Sequence, residues 1–332
     1  MEQVAVIGAG SWGSALAVHL ALVGHEVKLW GRDGSLVEEM AARRANPVYL
    51  PDVTFPPGLS PTAELRDALA TASIVVVTVP SHGVRAVARQ VAPLLMPGAL
   101  VVSAVKGIEA GSLLRMSEVL ASELPSAGEV AVVSGPSFAL ELARRLPTAV
   151  VVASSSPRTV EHVQAEFRSP WLRLYGTADV TGVEIGGALK NTIAIAAGVV
   201  EGLGQGHNAL AALITRGLAE VTRLAVAIGG QRETLAGLAG LGDLVLTCTG
   251  GLSRNRHVGA ELARGRSLDE VVASTKMVAE GVRTTEAALA LGARHGIELP
   301  ITEQMADVLA GRKAPSDAVR DLMGRRQKAE HS

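Results

Sequence analysis

Over its first half the chain carries short apolar runs, each four to six residues long and each closed by glycine, proline or a polar turn. Runs at 4–7, 26–30, 74–79, 100–105, 130–134, 149–153 and 172–175 are too short for helices and rich in valine. Continuous rather than alternating hydrophobicity predicts strands buried on both faces, as in a parallel sheet. Between them, 35–44 and 83–95 have helical composition and length. Strands alternating with helices predict an α/β domain with a doubly wound sheet. From about Val183 the texture changes to long Ala/Leu/Gly-rich segments at 184–200, 208–228, 232–242, 256–264, 267–273, 284–295, 302–310 and 315–323. Strand signals stop there. The expected organisation is a sheet domain over 1–183 and an all-helical domain over 184–332.

The most informative local pattern is Gly8-Ala9-Gly10-Ser11-Trp12-Gly13, because it lies between the first strand and a helical run starting at Ser14, with a second strand after it. That context turns a bare glycine motif into a dinucleotide-binding signature. Gly8 permits the tight turn, Gly10 lets backbone approach a pyrophosphate, and Gly13 lets the helix pack on the strand. The helix N-terminus then offers N–H groups to phosphate. The second strand ends Leu29-Trp30-Gly31-Arg32-Asp33. An acidic residue at this point binds a ribose 2′-hydroxyl, whereas an arginine accommodates a 2′-phosphate. Arg32 therefore predicts acceptance of NADP(H), and Asp33 keeps NAD(H) open.

Composition removes other classes. The 332 residues carry a formal charge of −1 and only 2% aromatics, so neither a basic groove nor stacking platforms for nucleic acid are expected. Cys248 is the single cysteine, which excludes an intramolecular disulfide and fits a reducing cytoplasm. The apolar N-terminal stretch lacks a basic leader, with Glu2 in its place, and no uninterrupted apolar run reaches the length of a membrane span. No His/Cys/carboxylate cluster with metal-ligand spacing stands out, so no metal is expected.

Several turns at strand carboxyl ends carry chemistry, and such turns surround one crevice in open α/β sheets. Lys106 follows one strand, in a chain with six lysines and 25 arginines. A cation there can polarise a carbonyl or hold an anion. Lys190 is the only charged residue between Ile185 and Val200. Burial makes a lysine give up its proton more readily, which suits a proton donor to a carbonyl oxygen. Its alternative is a lysine snorkelling to water. Ser253-Arg254-Asn255, after Gly250-Gly251 and ahead of a helix, combines hydrogen-bond donors, a planar cation and a helix N-terminus suited to a phosphate monoester.

In order along the chain, GAGSWG (8–13), Asn46 with YLP (49–51), VPSH (79–82), VKGIE (105–109), SGPSFALE (134–141), PTAVV (147–151), ALKNTIAIAAG (188–198), NALAALITRGLAE (208–220), GLGDLVLTCTGGLSRNR (240–256) and VAEGVRTTE (278–286) resemble the bacterial NAD(P)-dependent glycerol-3-phosphate dehydrogenase family. The resemblance runs from Val4 to Leu309. It implies reduction of dihydroxyacetone phosphate to sn-glycerol 3-phosphate, the backbone precursor of phospholipids. It also implies that Ser11, Trp12, Arg32, Lys106, Ala139, Arg254, Val278 and Glu280 touch the cofactor. Lys106, Gly135, Ser137, Asp243, Ser253, Arg254 and Asn255 would touch substrate, with Lys190 as acid/base. Gly135, Ala139, Val278 and Glu280 rest on the resemblance alone. Asp243 is open to three roles: orienting Lys190, binding a substrate hydroxyl, or capping a helix. One departure is His207, where the family usually has a small or acidic residue; it reads as a partly exposed loop residue, and facing the crevice it would add pH dependence near neutrality.

Two other readings stay open. One is a two-domain reductase of the β-hydroxyacid or 6-phosphogluconate type, distinguished by its lack of the phosphate clamp. The other is a nucleotide sensor without turnover. A homodimer is neither required nor excluded.

Overall fold

A computed structural model describes residues 1–274, 279–327 and 329. The strands are β1 (Gln3–Ile7), β2 (Glu26–Trp30), β3 (Ala45–Asn46), β4 (Leu50–Thr54), β5 (Leu59–Thr62), β6 (Ile74–Val77), β7 (Leu100–Ser103), β8 (Val130–Ser134), β9 (Thr148–Ala153) and β10 (Leu172–Thr177). Eight of them form one sheet in the order β10-β9-β8-β7-β6-β1-β2-β5, while β3 and β4 make a separate two-stranded ribbon. The chain reverses its direction of travel across the sheet at β1, between β2 and β6. The crevice outside the carboxyl ends of β1 and β6 is thus the topological switch point at which such sheets bind ligands.

Both faces of the sheet are covered, which explains the unbroken apolar runs. In β1, Val4 and Val6 enter one core with Leu16, Leu20 and Leu29, while Ala5 and Ile7 enter another with Val75, Val84 and Val119. Side chains alternate across a strand, so two buried faces demand hydrophobic residues at every position.

Three features depart from expectation. The sheet is not wholly parallel, since β9 runs antiparallel to β8. Strands β3, β4 and β5 are short and carry proline or polar residues, and the period-two signal fails there. Helices Met116–Glu123 and Pro157–Phe167 also stand where no helix is expected. The second owes its start to Ser156, whose hydroxyl accepts from the Thr159 N–H, followed by Pro157 at the first helical position.

After β10 the chain becomes helical. Its central element is Val180–Gly202, which begins four residues before the expected start at 184 because Asp179 caps it, accepting from Gly182 N–H at 2.8 Å. This 23-residue helix is the one among the described residues long and apolar enough to cross a membrane, and its apolar stretch is buried by the protein itself. Helix Arg254–Ala263 packs on it backbone to backbone. A β-carbon at Gly198 would stand 1.9 Å from the Arg256 carbonyl oxygen, and one at Gly259 would stand 1.9 Å from that of Ile195. Glu184 ties the central helix to the sheet domain. Its buried carboxylate accepts from Arg115 Nη1 at 2.8 Å and from the Ser117 N–H and hydroxyl at 2.8 and 2.6 Å. Burial raises the pKa of this carboxyl, and the Arg115 charge and the Ser117 donors oppose that shift.

The expected helix at 232–242 is instead two pieces, Arg232–Ala236 and a π-helical turn Leu238–Gly242, followed by a separate helix Asp243–Thr249. π-Helical turns are rare and concentrate at functional sites. This one delivers Asp243 to the crevice.

Candidate active site

The nucleotide side is built from backbone. Gly8 has φ +123°, and a β-carbon on it would press on Thr78 Oγ1 at 2.8 Å and Val79 N at 2.9 Å. One on Gly13 would overlap the Gly8 carbonyl at 1.9 Å. Gly10 differs, since a β-carbon there meets nothing within 4 Å. The loop is closed at its two outer glycines and open at the middle one, where a phosphate would approach. Helix Ser11–Leu22 has no side-chain cap, so its first N–H groups face the crevice with their partial positive charge unanswered. Asn46 holds the loop in place. Its side-chain N–H₂ donates to the Ala9 carbonyl and Ser14 hydroxyl, both at 2.9 Å, while its oxygen accepts from Tyr49 N–H at 3.0 Å. These residues fit a dinucleotide diphosphate.

At the end of β2, the Asp33 carboxylate caps the next helix by accepting from Leu36 N–H at 3.2 Å. Arg32 is exposed and makes no hydrogen bond or ion pair. Trp12 and Ala139 are half-buried and pack against the same core cluster. Glu280, the first residue of helix Glu280–Arg294, receives the Ser81 hydroxyl at 2.6 Å and the Ser81 N–H at 3.3 Å. It thereby joins the helical domain to the turn after β6. Val278 lies outside the described residues.

The substrate side is built from charges. Asp243 is fully buried and carries a lysine on each oxygen. Lys190 Nζ donates to Oδ1, and Lys106 Nζ donates to Oδ2 at 2.6 Å. Lys190 also donates to Thr247 Oγ1 at 2.7 Å, and Thr247 in turn donates to the Asp243 carbonyl at 2.6 Å. Thr247 stands one helical turn after Asp243 and thus on the same face. An ammonium has three donors. Two on Lys190 are taken, and the third is available for a ligand. Burial lowers the Lys190 pKa from 10.5 to about 7; Asp243 opposes that shift and the Lys106 charge adds to it. Lys106 donates further to the Gly135 carbonyl at 3.0 Å, which also accepts from Ser137 at 2.9 Å. Gly135 has φ +137°, a conformation that glycine allows and that turns its carbonyl toward these donors.

The Ser-Arg-Asn group is only partly as expected. Ser253 caps helix Arg254–Ala263, its hydroxyl oxygen accepting from Arg256 N–H at 3.3 Å. Asn255 is buried and bridges Asn191 Oδ1 at 2.9 Å and Gly281 N–H at 3.0 Å. Arg254 is exposed, with no hydrogen bond or ion pair of its own. It is the member of the three whose donors are all free. His207 is exposed in the first turn of helix Gly206–Ala227. Cys248 is buried, its thiol pKa pushed up to about 12 by desolvation, which leaves it unreactive.

Thr247 and Asn191 carry no role in the sequence analysis, and Ser81 stands there only as part of a turn at a strand's carboxyl end. Thr247 had a signal, its position four residues after Asp243. Ser81 and Asn191 depend on contacts 199 and 64 residues away. Among the described residues, folding groups three side chains that sequence spacing does not bring together. Glu2, His162 and Glu166 bring one ligand atom each within 4.8 Å of one another, through folding that joins the first strand to a helix far along the chain. Glu2 there accepts from the Ser73 hydroxyl, and Glu166 lies 3.6 Å from His25 Nε2.

Two family models cover nearly all of the chain. Residues 3–160 match the N-terminal part of NAD-dependent glycerol-3-phosphate dehydrogenase, and 179–320 match its C-terminal part. The chain is 52% identical over 329 residues to glycerol-3-phosphate dehydrogenase [NAD(P)+] of Koribacter versatilis, covering 98% of each. It is 53% identical over 333 residues to that of Geobacter sulfurreducens, covering 99% of each. Among solved structures, glycerol-3-phosphate dehydrogenase of Coxiella burnetii superposes with a TM-score of 0.94 at 41% identity, covering 98% of this chain and 99% of that one. With this likeness running through both domains, the chain belongs to the NAD(P)-dependent glycerol-3-phosphate dehydrogenase family.

Proposed function

We propose that the enzyme reduces dihydroxyacetone phosphate to sn-glycerol 3-phosphate, reversibly, with Lys190 as the proton donor. The observation that carries this reading is the buried Lys190–Asp243–Lys106 cluster, in which one lysine titrates near neutrality and keeps a donor free. A reduced nicotinamide dinucleotide held by its diphosphate at the glycine loop would supply the hydride. The chain supplies the rest. Arg254 and the first turn of its helix hold the substrate phosphate, with Ser253 and Asn255 fixing that turn. Binding a remote phosphate orients the ketone and so lowers the entropic part of the barrier. Lys106 and the Gly135–Ser137 turn line the other side of the ketone. Lys190, held by Asp243 and Thr247, donates its proton to the ketone oxygen as negative charge develops there. In the oxidative direction neutral Lys190 takes the hydroxyl proton back.

Arg32, free of partners, favours a 2′-phosphate, so NADP(H) is the better cofactor and NAD(H) the weaker. Glu280 and Ala139 line the cofactor groove. The product would serve as a phospholipid backbone in the cytoplasm. The test follows NADPH, then NADH, on adding dihydroxyacetone phosphate to purified protein, with unphosphorylated dihydroxyacetone as control. Rapid oxidation with the phosphate alone is expected. Equal rates with both ketones would remove the phosphate-holding role, and binding without oxidation would make the protein a nucleotide sensor.

A further inference from the structure

The central helix reaches the sheet through two adjacent glycines, Gly186 and Gly187, that lie just before Lys190. Gly187 is one helical turn ahead of Lys190 and on the same face. A β-carbon placed on it would stand 2.6 Å from Ser134 Oγ, 3.5 Å from Lys106 Cγ and 3.7 Å from Ser134 Cβ. The first of these is closer than atoms can approach, and the other two are ordinary contacts. Ser134 is the last residue of β8, 4% exposed, and its hydroxyl has no hydrogen-bond partner. A buried hydroxyl without a partner contributes nothing to stability and costs its desolvation. At this place it acts as a wall. Gly186 faces the other neighbour of the helix, where a β-carbon would stand 2.6 Å from the Ala239 carbonyl oxygen, four residues ahead of Asp243. The helix therefore sits between the end of β8 and the π-helical turn, and Lys190 and Lys106 each bond one oxygen of Asp243.

We propose that Gly187 is a positioning residue for the reaction: its bare backbone is the passage through which the Lys106 side chain runs to Asp243, and its spacing from Ser134 sets the distance between Lys190, Asp243 and Lys106. The proposal rests on the reading of Lys190 as proton donor. An alanine at 187 must push the Ser134 hydroxyl, the Lys106 stem or the helix itself. Each displacement falls on a member or a neighbour of the Lys190–Asp243–Lys106 cluster. A shift of about 1 Å in such a cluster costs on the order of 10²-fold in rate.

A double-substitution cycle tests this, because the offending atom is a single hydroxyl oxygen with no hydrogen bond to lose. Gly187→Ala, Ser134→Ala and the double variant are compared in kcat, in KM for dihydroxyacetone phosphate and in NADPH titration. Ser134→Ala is expected within about twofold of the parent, since the Cβ wall remains. Gly187→Ala is expected to lose roughly 10- to 100-fold in kcat with unchanged NADPH affinity. The double variant should recover most of that loss, its new methyl facing only the contacts at 3.5 and 3.7 Å. Gly187→Ala with parental kcat would overturn the proposal, because the hydroxyl then simply rotates away. So would a double variant no better than the single one. If Gly187→Ala alone does not fold, the double variant must fold and turn over within a few-fold of the parent, and its failure counts against the proposal. Lys190→Ala run alongside separates the two layers. Full turnover in that variant sinks the proton-donor reading, whatever the cycle shows.

Discussion

The two walls of the crevice are made on opposite plans. On the cofactor wall the useful groups are left without partners. Helix Ser11–Leu22 lacks a side-chain cap, Gly10 faces open space, and Arg32 has no ion pair. On the substrate wall the useful groups are mutually held. Lys190 has Asp243 and Thr247, Lys106 has Asp243 and Gly135, and Asn255 has Asn191 and Gly281. A surface that binds a charged ligand gains most where its donors have nothing else to bond. A centre that moves a proton needs fixed geometry and a tuned pKa, which buried partners provide. Arg254 is the exception on the substrate wall, and its free donors suit the phosphate contact proposed for it.

Each plan can be broken separately. The largest effect is expected from Lys190→Ala, which should lower kcat by about 10²–10⁴-fold while cofactor titration stays near normal. Asp243→Asn comes next. It removes the charge between two lysines, and kcat should fall by roughly 10²-fold, with Lys190 losing its proton more easily because the Asp243 charge is what opposes its desolvation. The reductive pH limb should then move to lower pH. On the cofactor wall, Arg32→Ala should weaken NADPH binding by about tenfold, the worth of one charge-assisted contact, and leave NADH binding nearly unchanged. Equal losses for both would remove Arg32 from the 2′-phosphate. The smallest effect belongs to Asp33→Ala, where loss of the helix cap should cost about 1 kcal/mol of stability with little change in cofactor preference. A strong loss of NADH binding there would make Asp33 a ribose ligand rather than a cap.

The same contrast explains what could be read in the sequence. The cofactor wall is local: loop, helix start and second strand lie within thirty residues, and their spacing is a backbone requirement that only glycine meets. Lys190 was legible because a lone charge in an apolar helix needs a reason. Of its partners, Asp243 was legible only as one of three open roles, and Thr247 was not read at all. Asp243 arrives through a π-helical turn where an uninterrupted helix at 232–242 was expected, and π-turns leave no periodicity to read. Ser81 meets Glu280 only through the docking of the two domains. The antiparallel β9 escaped because a strand buried on both faces reads the same in either direction. Ser253 and Asn255 read in the sequence as donors to a phosphate, whereas their side chains fix the helix N-terminus on which Arg254 sits.

The central claim is that Lys190, held near neutrality by burial, carries the proton in both directions. The measurement that tests it most directly is kcat against pH for reduction and for oxidation by the same protein. Reduction needs protonated Lys190 and should fall as pH rises through about 7; oxidation needs the neutral amine and should fall as pH drops through about 7. Mirror-image limbs that both vanish in Lys190→Arg, whose guanidinium keeps its proton, would establish the account. Two flat profiles, or limbs falling on the same side, would contradict it.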